Sequence, residues 1–245
     1  MVGQIRDRRV ITYGFSPQAD VRAMNVRFSE GASHFDVVVT DRPTGRETRI
    51  ERLRLPMPGE HNVQNALAAI VVARELGIAD DTIRNAFANF GGVGRRFTRV
   101  GEWNGAAIID DYAHNPFKIA AALKAARQAY TGTIVAVVQP HRYTRLAHTF
   151  EQFSTCLNDA DVAIVAPVYP AGEKPIPGID RDAYAESLRA HGHRNVRVIE
   201  GADDLAEAVA DVMKPGGAVV CLGAGSITAW AAGLEAALKK REGKA

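Results

Sequence analysis

Short apolar runs alternate with segments of helical spacing from about Thr98 onward, and this alternation restricts the fold more than any other feature. It predicts strands over 106–109, 133–138, 162–167, 196–199 and 218–222, and helices over 116–130, 149–157, 182–191, 204–213 and 227–240. Buried strands joined by amphipathic helices are typical of an α/β fold with a Rossmann-like, doubly wound, mostly parallel sheet. Ligands of such sheets bind outside the carboxyl ends of the strands, so functional side chains are expected in the turns that follow strands.

The earlier part of the chain has a different pattern. Strand-like segments at 10–13, 21–28, 35–40 and 48–55 predict a small antiparallel meander. After the PMPG breaker, two helices are predicted over 62–76 and 81–90. The first helix is apolar on nearly every side and stops at Gly77, so we expect it to be buried. The change of pattern predicts two domains, 1–97 and 98–245.

The turn after the first strand of the second domain concentrates functional side chains. Two carboxylates, a phenol and an imidazole lie within five residues, on Asp110, Asp111, Tyr112 and His114. Asn115 and Pro116 then suit the N-cap and first position of a helix, and helix N-termini favour anions. One Asp here is equally well interpreted as a loop cap, but the cluster as a whole favours a functional site.

The turn after the second strand is basic. Within QPHRYTR it carries an imidazole and two guanidiniums, on His141, Arg142 and Arg145. Guanidiniums bind carboxylates and phosphates through paired hydrogen bonds, so this turn predicts a receptor for one of these anions. The alternative is a solvated basic turn, which is disfavoured because Pro140 fixes the chain just before the cluster.

Other segments give weaker signals. VYPAGE after the third strand is as readily a plain loop. Gly223 and Gly225 resemble a phosphate-binding turn, but the third glycine of the dinucleotide pattern is lacking, and backbone packing is favoured. Between the two domains, GGVGRRF joins three glycines to Arg95 and Arg96, as expected of a hinge that carries cations.

Two amides lie three residues apart on the first helix, on Asn62 and Asn65. Amides on so apolar a helix need hydrogen-bond partners. They either cap the helix or bind a planar ligand such as adenine.

Composition excludes several classes of function. The net charge of +2 disfavours a nucleic-acid partner, and no apolar run approaches the roughly 18 residues of a membrane span. Cys156 and Cys221 have neither CxxC nor metal-ligand spacing, and the His191-Gly192-His193 turn is a weak metal signal, so no metal site is predicted. The sequence contains no P-loop, GxSxG or HExxH pattern. We expect a soluble, cytoplasmic protein.

Six motifs, taken together, resemble the Mur ligases of bacterial cell-wall synthesis. In the order expected for that family they are LPMPGEHNVQNALAA, GGVGRRF, IIDDYAHNP, VVQPHRYTR, VYPAGEKPIPGID and CLGAGSIT. Within the family, VVQPHRYTR and VYPAGE favour the branch that adds L-alanine to UDP-N-acetylmuramate. The resemblance covers the C-terminal half of such an enzyme. It implies that 1–97 is the C-terminal part of a central ATP-binding domain and 98–245 an amino-acid-binding C-terminal domain.

The resemblance also implies a reaction and a set of roles. ATP phosphorylates the muramate carboxylate, and the amine of L-alanine attacks the acyl phosphate. By the resemblance, Asn62 and Asn65 contact the adenine side of ATP, while Arg96 and Asp111 reach the nucleotide. Catalytic roles are implied for Asp111, His114 and Arg96, and a pocket for the L-alanine carboxylate and acyl phosphate is implied for Tyr112, His114, His141, Arg142 and Arg145. The P-loop and the Mg²⁺ ligands are expected in a missing N-terminal half, so this chain alone is expected to be inactive.

The motifs depart from the L-alanine branch at three positions. That branch usually has DDYGHHP, where this chain has Ala113 and Asn115, and Lys118 replaces a common Glu. Ala-His is commoner in sibling ligases and in the murein-peptide recycling ligase, which are therefore alternatives. We expect substrate differences at these positions. The non-enzyme alternative is an isolated Rossmann-like nucleotide-binding module that uses the Gly223–Thr228 turn.

Overall fold

The two sequence patterns correspond to two folded units in the computed structural model, which describes residues 8–29 and 31–242. The units are Met1–Gly92 and Val93–Ala245, so the division falls inside the glycine-rich GGVG segment. The functional assignment of the two units stays a prediction.

The first unit contains a sheet with the spatial order β1-β2-β3-β4 in its described part. The strands are β1 (Tyr13–Gly14), β2 (Val21–Ser29), β3 (Ala32–Asp41) and β4 (Arg46–Leu55). β2, β3 and β4 are antiparallel, as predicted, but β1 pairs in parallel with β2, so the prediction of an antiparallel meander is wrong there. The predicted strand 10–13 is interrupted because Thr12 donates its N–H and hydroxyl to the Asp20 carboxylate.

Two helices, α1 (Glu60–Glu75) and α2 (Asp80–Ala88), follow the sheet. The side of α1 that carries Val63, Leu67 and Ile70 is buried in the core of this unit. Within this unit the prediction of a helix buried on every side is wrong, because Val72 is 58% exposed and Leu76 73% exposed. Gly77 ends the helix as predicted, with a left-handed φ of 74°.

The second unit contains a sheet with the spatial order β5-β6-β10-β7-β8-β9 in its described part. Its strands are β5 (Thr98–Trp103), β6 (Ala106–Asp111), β7 (Ile134–Val138), β8 (Val162–Val165), β9 (Val196–Val198) and β10 (Ala218–Leu222). Every pairing is parallel except that of β5 with β6, which confirms the predicted doubly wound, mostly parallel sheet. β5 was not predicted, because it is an edge strand whose side chains are half-buried or exposed.

Helices cover both faces of this sheet. They are α3 (Pro116–Ala129), α4 (Tyr143–His148), α5 (Phe150–Phe153), α6 (Arg181–Ala190), α7 (Ala202–Ala210) and α8 (Ile227–Glu242). Residues of α3, α4, α5 and α6 share one apolar core, and residues of α7 and α8 share the other. The helix predicted over 149–157 is wrong in extent: this range contains only the short α5, and α4 precedes it. No helix within the described residues is long and apolar enough to cross a membrane.

The strand order brings together four turns that are distant in the sequence. β10 lies between β6 and β7, with Cys221 paired to Asp110 on one side and to Val137 on the other. The carboxyl ends of β6, β10, β7 and β8 therefore follow one another along one edge of the sheet.

Candidate functional site

Asp111 connects the end of β6 to the segment before β5. Its Oδ2 accepts the Phe97 N–H at 2.7 Å, and its Oδ1 accepts the Ala113 N–H at 2.7 Å. Burial raises the pKa of Asp111, although these two hydrogen bonds and the charge of Arg96 act in the opposite direction. Both carboxylate oxygens thus hold backbone in place, which is the loop-cap role weighed from the sequence.

Asp110 lies near Arg95, which the sequence predicted only as a cation carried by the hinge. Asp110 is buried, its Oδ1 accepts the Thr228 hydroxyl at 3.2 Å, and its Oδ2 lies 3.8 Å from Arg95 Nε. Burial raises the pKa of Asp110, partly offset by Thr228 and Arg95. The same guanidinium donates to the Gly223 carbonyl at 3.1 Å and lies over the Tyr112 ring, 4.5 Å from its centroid.

The glycine turn after β10 is packed against protein groups. A Cβ at Gly225 would lie 2.5 Å from the Tyr169 ring and 2.5 Å from Gln139 Oε1, and one at Gly223 would lie 2.8 Å from the Gln139 carbonyl. Gln139 is buried and links the turn to α8, since Nε2 donates to Ser226 Oγ at 3.0 Å and Oε1 accepts the Ile227 N–H at 3.1 Å. Close packing therefore explains these two glycines.

The basic turn after β7 is fixed to the turn after β8. Tyr169 donates its N–H to the Pro140 carbonyl at 2.8 Å, and its own carbonyl accepts the Arg142 N–H at 2.8 Å. Glu173 accepts the Thr144 N–H at 3.0 Å and the Thr144 hydroxyl at 2.6 Å. Arg142 has a positive φ of 72°, a strained backbone for a residue with a side chain, and these cross-links hold it.

Four rings from three strand ends form a continuous row along this edge. Tyr112 meets His114 edge to face at 4.9 Å, the His114 and His141 centroids are 6.2 Å apart, and His141 stacks on Tyr169 at 5.4 Å. The structure therefore brings together predicted residues that lie about 30 positions apart in the sequence. Tyr169, from the VYPAGE turn after β8, completes the row; the sequence had favoured no role for this turn over a plain loop.

Hydrogen bonds fix the tautomers of the two imidazoles in their neutral forms. His114 Nδ1 lies 2.8 Å from the Tyr112 carbonyl, which can only accept, so Nδ1 carries a proton, and in the neutral ring Nε2 keeps a lone pair. Arg145 can only donate, and its Nη1 lies 3.2 Å from His141 Nδ1, so His141 accepts there and carries its proton on Nε2. The site therefore offers one imidazole acceptor and one imidazole donor.

Positive charge surrounds these imidazoles. Burial lowers the pKa of His114, and the charges of Arg145, Lys118 and Arg96 lower it further against the opposing effect of the Tyr112 carbonyl. Burial and the charges of Arg145, His114 and Arg142 lower the pKa of His141, with Glu173 acting in the opposite direction. Both rings are therefore neutral at pH 7, beside cationic side chains suited to an anion.

The three positions that depart from the family pattern have structural roles here. Ala113 is buried and donates its N–H to Asp111. Asn115 is the N-cap of α3, and its side chain accepts the Lys118 N–H at 3.0 Å. The cap explains Asn115, the buried position of residue 113 suits a small side chain, and Lys118 contributes positive charge near His114.

The two predicted adenine contacts lie on α1, in the first unit. Asn62 is buried, and its Nδ2 donates to the Pro58 carbonyl at 2.7 Å, which ties the PMPG segment to the first turn of α1. Asn65 is exposed. The N-cap of α1 is Gly59 and no side chain caps the helix, so the capping alternative is wrong for Asn62, whose contact is a hydrogen bond to the preceding segment. The adenine role of both residues stays a prediction.

No group of three or more His, Cys, Asp or Glu side chains is placed to hold a metal ion anywhere in residues 8–29 and 31–242. In the His191-Gly192-His193 turn, His191 Nδ1 donates to the Ser187 carbonyl at 2.8 Å. This imidazole therefore closes the end of α6.

Two family descriptions match the sequence of this chain. The family description "Mur ligase, glutamate ligase domain" matches residues 95–225, and "Mur ligase middle domain" matches residues 3–73. The first match alone covers more than half of the chain, and the chain belongs to the Mur ligase family.

Two curated relatives carry the name of the L-alanine-adding branch of that family. The UDP-N-acetylmuramate–L-alanine ligase of Bradyrhizobium sp. (strain ORS 278) is 60% identical over 239 residues, which are 98% of this chain and 51% of the relative. The enzyme of that name from Rhodopseudomonas palustris (strain HaA2) is 59% identical over the same shares. The chain thus spans about half the length of the curated relatives it matches.

A solved structure shares the fold. The UDP-N-acetylmuramate–alanine ligase MurC of Thermotoga maritima superposes with a TM-score of 0.74 at 24% identity, covering 96% of this chain and 48% of that one. At this level of identity the match shows the fold alone.

Proposed function

We propose that this chain is the C-terminal part of an ATP-dependent ligase that joins L-alanine to UDP-N-acetylmuramate through an acyl phosphate. The observation that carries the proposal is the cluster of His114, His141 and Arg145 at the carboxyl edge of the sheet. The cluster combines a cation that can bind the carboxylate of an amino acid with a neutral base that can accept a proton from its ammonium group. It also contains a neutral hydrogen-bond donor. The 60% identity to relatives named for this reaction supports the choice of substrates.

The carboxylate of the amino acid is proposed to bind at Arg145. One guanidinium nitrogen of Arg145 already lies 3.2 Å from both Nδ1 and the carbonyl of His141, which orients the side chain. A guanidinium has five N–H donors, so others remain for a carboxylate. Arg142 is exposed on the same turn and adds positive charge.

His114 is proposed to act as the base. An α-ammonium group must lose a proton before its nitrogen can attack an acyl carbon, and the lone pair on His114 Nε2 can accept it. The lowered pKa of His114 keeps this lone pair available at pH 7. His141, with its proton on Nε2, can donate a hydrogen bond to the oxyanion of the tetrahedral intermediate or to the departing phosphate.

ATP, Mg²⁺ and UDP-N-acetylmuramate are proposed as ligands of the complete ligase. Asn62 and Asn65 are proposed to contact adenine, and Arg96 to reach the nucleotide. Mg²⁺, which would neutralise phosphate charge, is proposed to bind in an N-terminal half that also supplies a P-loop. We propose a cytoplasmic location, where these soluble precursors are used.

The glycine turn disfavours the alternative of a non-catalytic nucleotide-binding module. Such a module would place phosphate against Gly223 and Gly225, where Gln139 and Tyr169 already pack. Simple nucleotide binding also leaves the row of imidazoles and cations without a role.

The proposal is tested by phosphate release from the complete ligase, assembled from this chain and an N-terminal half. We expect release to require ATP, UDP-N-acetylmuramate and L-alanine together. Release with a murein peptide in place of L-alanine would favour the recycling ligase, and release independent of any amine would contradict the proposal. This chain alone is expected to release no phosphate from ATP.

A further inference from the structure

We propose that Arg95 is a positioning residue of the amino-acid site, which holds the ring of Tyr112 and therefore the wall that Tyr112 and His114 form together. This inference rests on the proposed function, because the amino-acid site belongs to it. The family resemblance implies a role for the neighbouring Arg96 and none for Arg95.

Two contacts join Arg95 to Tyr112. The guanidinium carbon lies over the ring, 4.5 Å from its centroid, at a distance typical of a cation–π interaction. The Tyr112 N–H also donates to the Arg95 carbonyl at 2.8 Å. Tyr112 is 38% exposed, so its ring is not fixed by burial alone. The rings of Tyr112 and His114 are 4.9 Å apart between centroids in an edge-to-face arrangement, so a change in the orientation of Tyr112 would alter the packing of His114.

Arg95 also has two neighbours other than Tyr112 at the strand ends. Its Nη2 donates to the Gly223 carbonyl at 3.1 Å, and its Nε lies 3.8 Å from the buried Asp110 carboxylate. The guanidinium therefore connects the ends of β6 and β10 while one face covers Tyr112. At 3.8 Å the pair with Asp110 is too long to be a hydrogen bond, so the Gly223 carbonyl provides the hydrogen bond that orients the guanidinium.

The backbone around Arg95 is arranged for this placement. Arg95 and Phe97 have left-handed φ angles of 60° and 50°, which residues with a side chain adopt at a cost. The Phe97 N–H is held in this conformation by the Asp111 carboxylate at 2.7 Å. Arg96, between them, is exposed, and its N–H donates to Thr98 Oγ1 at 3.3 Å. Arg95 therefore lies against Tyr112 and Gly223, while the next residue, Arg96, is exposed.

The competing explanation is that Arg95 only neutralises Asp110. A double-mutant cycle in the complete ligase separates the two roles. The variants are Arg95→Met, Tyr112→Leu and the double substitution, with Asp110→Asn as the control for the ion pair and Arg95→Lys as the conservative variant. For each, the KM for L-alanine, the KM for ATP, kcat and the thermal midpoint are measured.

We expect Arg95→Met to raise the KM for L-alanine about three- to tenfold, as befits loss of a cation–π contact, and to change the KM for ATP less than about twofold. In the Tyr112→Leu background, Arg95→Met should raise it no further. Arg95→Lys, which keeps a cation near the ring, should restore part of the loss. Asp110→Asn should leave the KM for L-alanine near the wild-type value while it alters the thermal midpoint.

Equal effects of Arg95→Met with and without Tyr112 would overturn the proposal, as would an Asp110→Asn variant with the same rise in KM. Both results presuppose an active wild type, so they leave the proposed function standing. A wild-type ligase that releases no phosphate in response to L-alanine would overturn the proposed function, and the role of Arg95 with it.

Discussion

Arg145 Nη1 lies 3.2 Å from His141 Nδ1 and 3.2 Å from the carbonyl of the same residue. The two contacts attach a flexible guanidinium to a turn that is itself bound to the Tyr169 backbone. A pre-oriented cation loses less conformational entropy on binding a carboxylate than a free one does.

Replacing Arg145 should affect the amino acid far more than the nucleotide. Hydrogen bonds to charged groups contribute about 1.5–3 kcal/mol, so Arg145→Ala in the complete ligase is expected to raise the KM for L-alanine about 10- to 100-fold. Steady-state kinetics with each substrate varied in turn measure this. Arg189→Ala is the matched control, since Arg189 contacts the Val196 carbonyl near the other end of the strands. Equal losses for L-alanine and ATP would remove Arg145 from the amino-acid site.

The pH profile should report His114. Its pKa is lowered by burial and by nearby cations, so the neutral base persists below the ordinary value of 6.5 and protonates only at a more acid pH. We expect kcat/KM for L-alanine to fall on the acid side with an apparent pKa below 6.5. His114→Gln should lose most activity and this acid limb. An unchanged limb in that variant would assign the titration to another group.

Two alanine substitutions should separate close packing from helix propensity. Gly225→Ala places a methyl group 2.5 Å from both the Tyr169 ring and Gln139 Oε1, so it is expected to destabilise the second unit by about 1–3 kcal/mol. Gly233→Ala on α8 meets no atom within 4 Å and should stabilise the unit by about 0.5–1 kcal/mol. Urea unfolding of the chain measures both. A neutral Gly225→Ala variant would show that the turn has room for a ligand.

Asp111→Asn should reduce stability. The carboxylate accepts one N–H on each oxygen, from Phe97 and Ala113, whereas an amide offers only one accepting oxygen. One buried N–H is then left opposite an NH₂ group, at a cost of about 1–3 kcal/mol. Asp161→Asn, at a more exposed carboxylate that also caps a backbone N–H, serves as the comparison. A free energy of unfolding equal to that of the wild type would show that Asp111 does not hold this backbone.

The sequence pattern was sufficient for the parallel strands and for most of the side chains at their carboxyl ends. The apolar runs of β6, β7, β8 and β10 indicate where each strand ends. The four rings of the row follow the ends of β6, β7 and β8. β5 was missed because an edge strand such as Thr98–Trp103 lacks an apolar run. α4 was missed because its N-cap is Arg142 with a φ of 72°, which no capping rule indicates.

The contacts of Arg95 could not be predicted from the sequence. Its partners are Asp110, Tyr112 and Gly223, and the last lies 128 positions away. They meet because β10 inserts between β6 and β7, an order that local periodicity does not encode. The N-cap role of Asn115, in contrast, was predicted from the sequence and is confirmed.

The most direct measurement of the central claim is the product itself. This chain and an N-terminal half are combined with ATP, Mg²⁺, UDP-N-acetylmuramate and isotopically labelled L-alanine, and the products are separated by mass spectrometry. We expect labelled UDP-N-acetylmuramoyl-L-alanine, formed together with ADP and phosphate, and a large loss of this product with Arg145→Ala. ATP consumption without an amide product, or a product unaffected by Arg145→Ala and His114→Gln, would contradict the central claim.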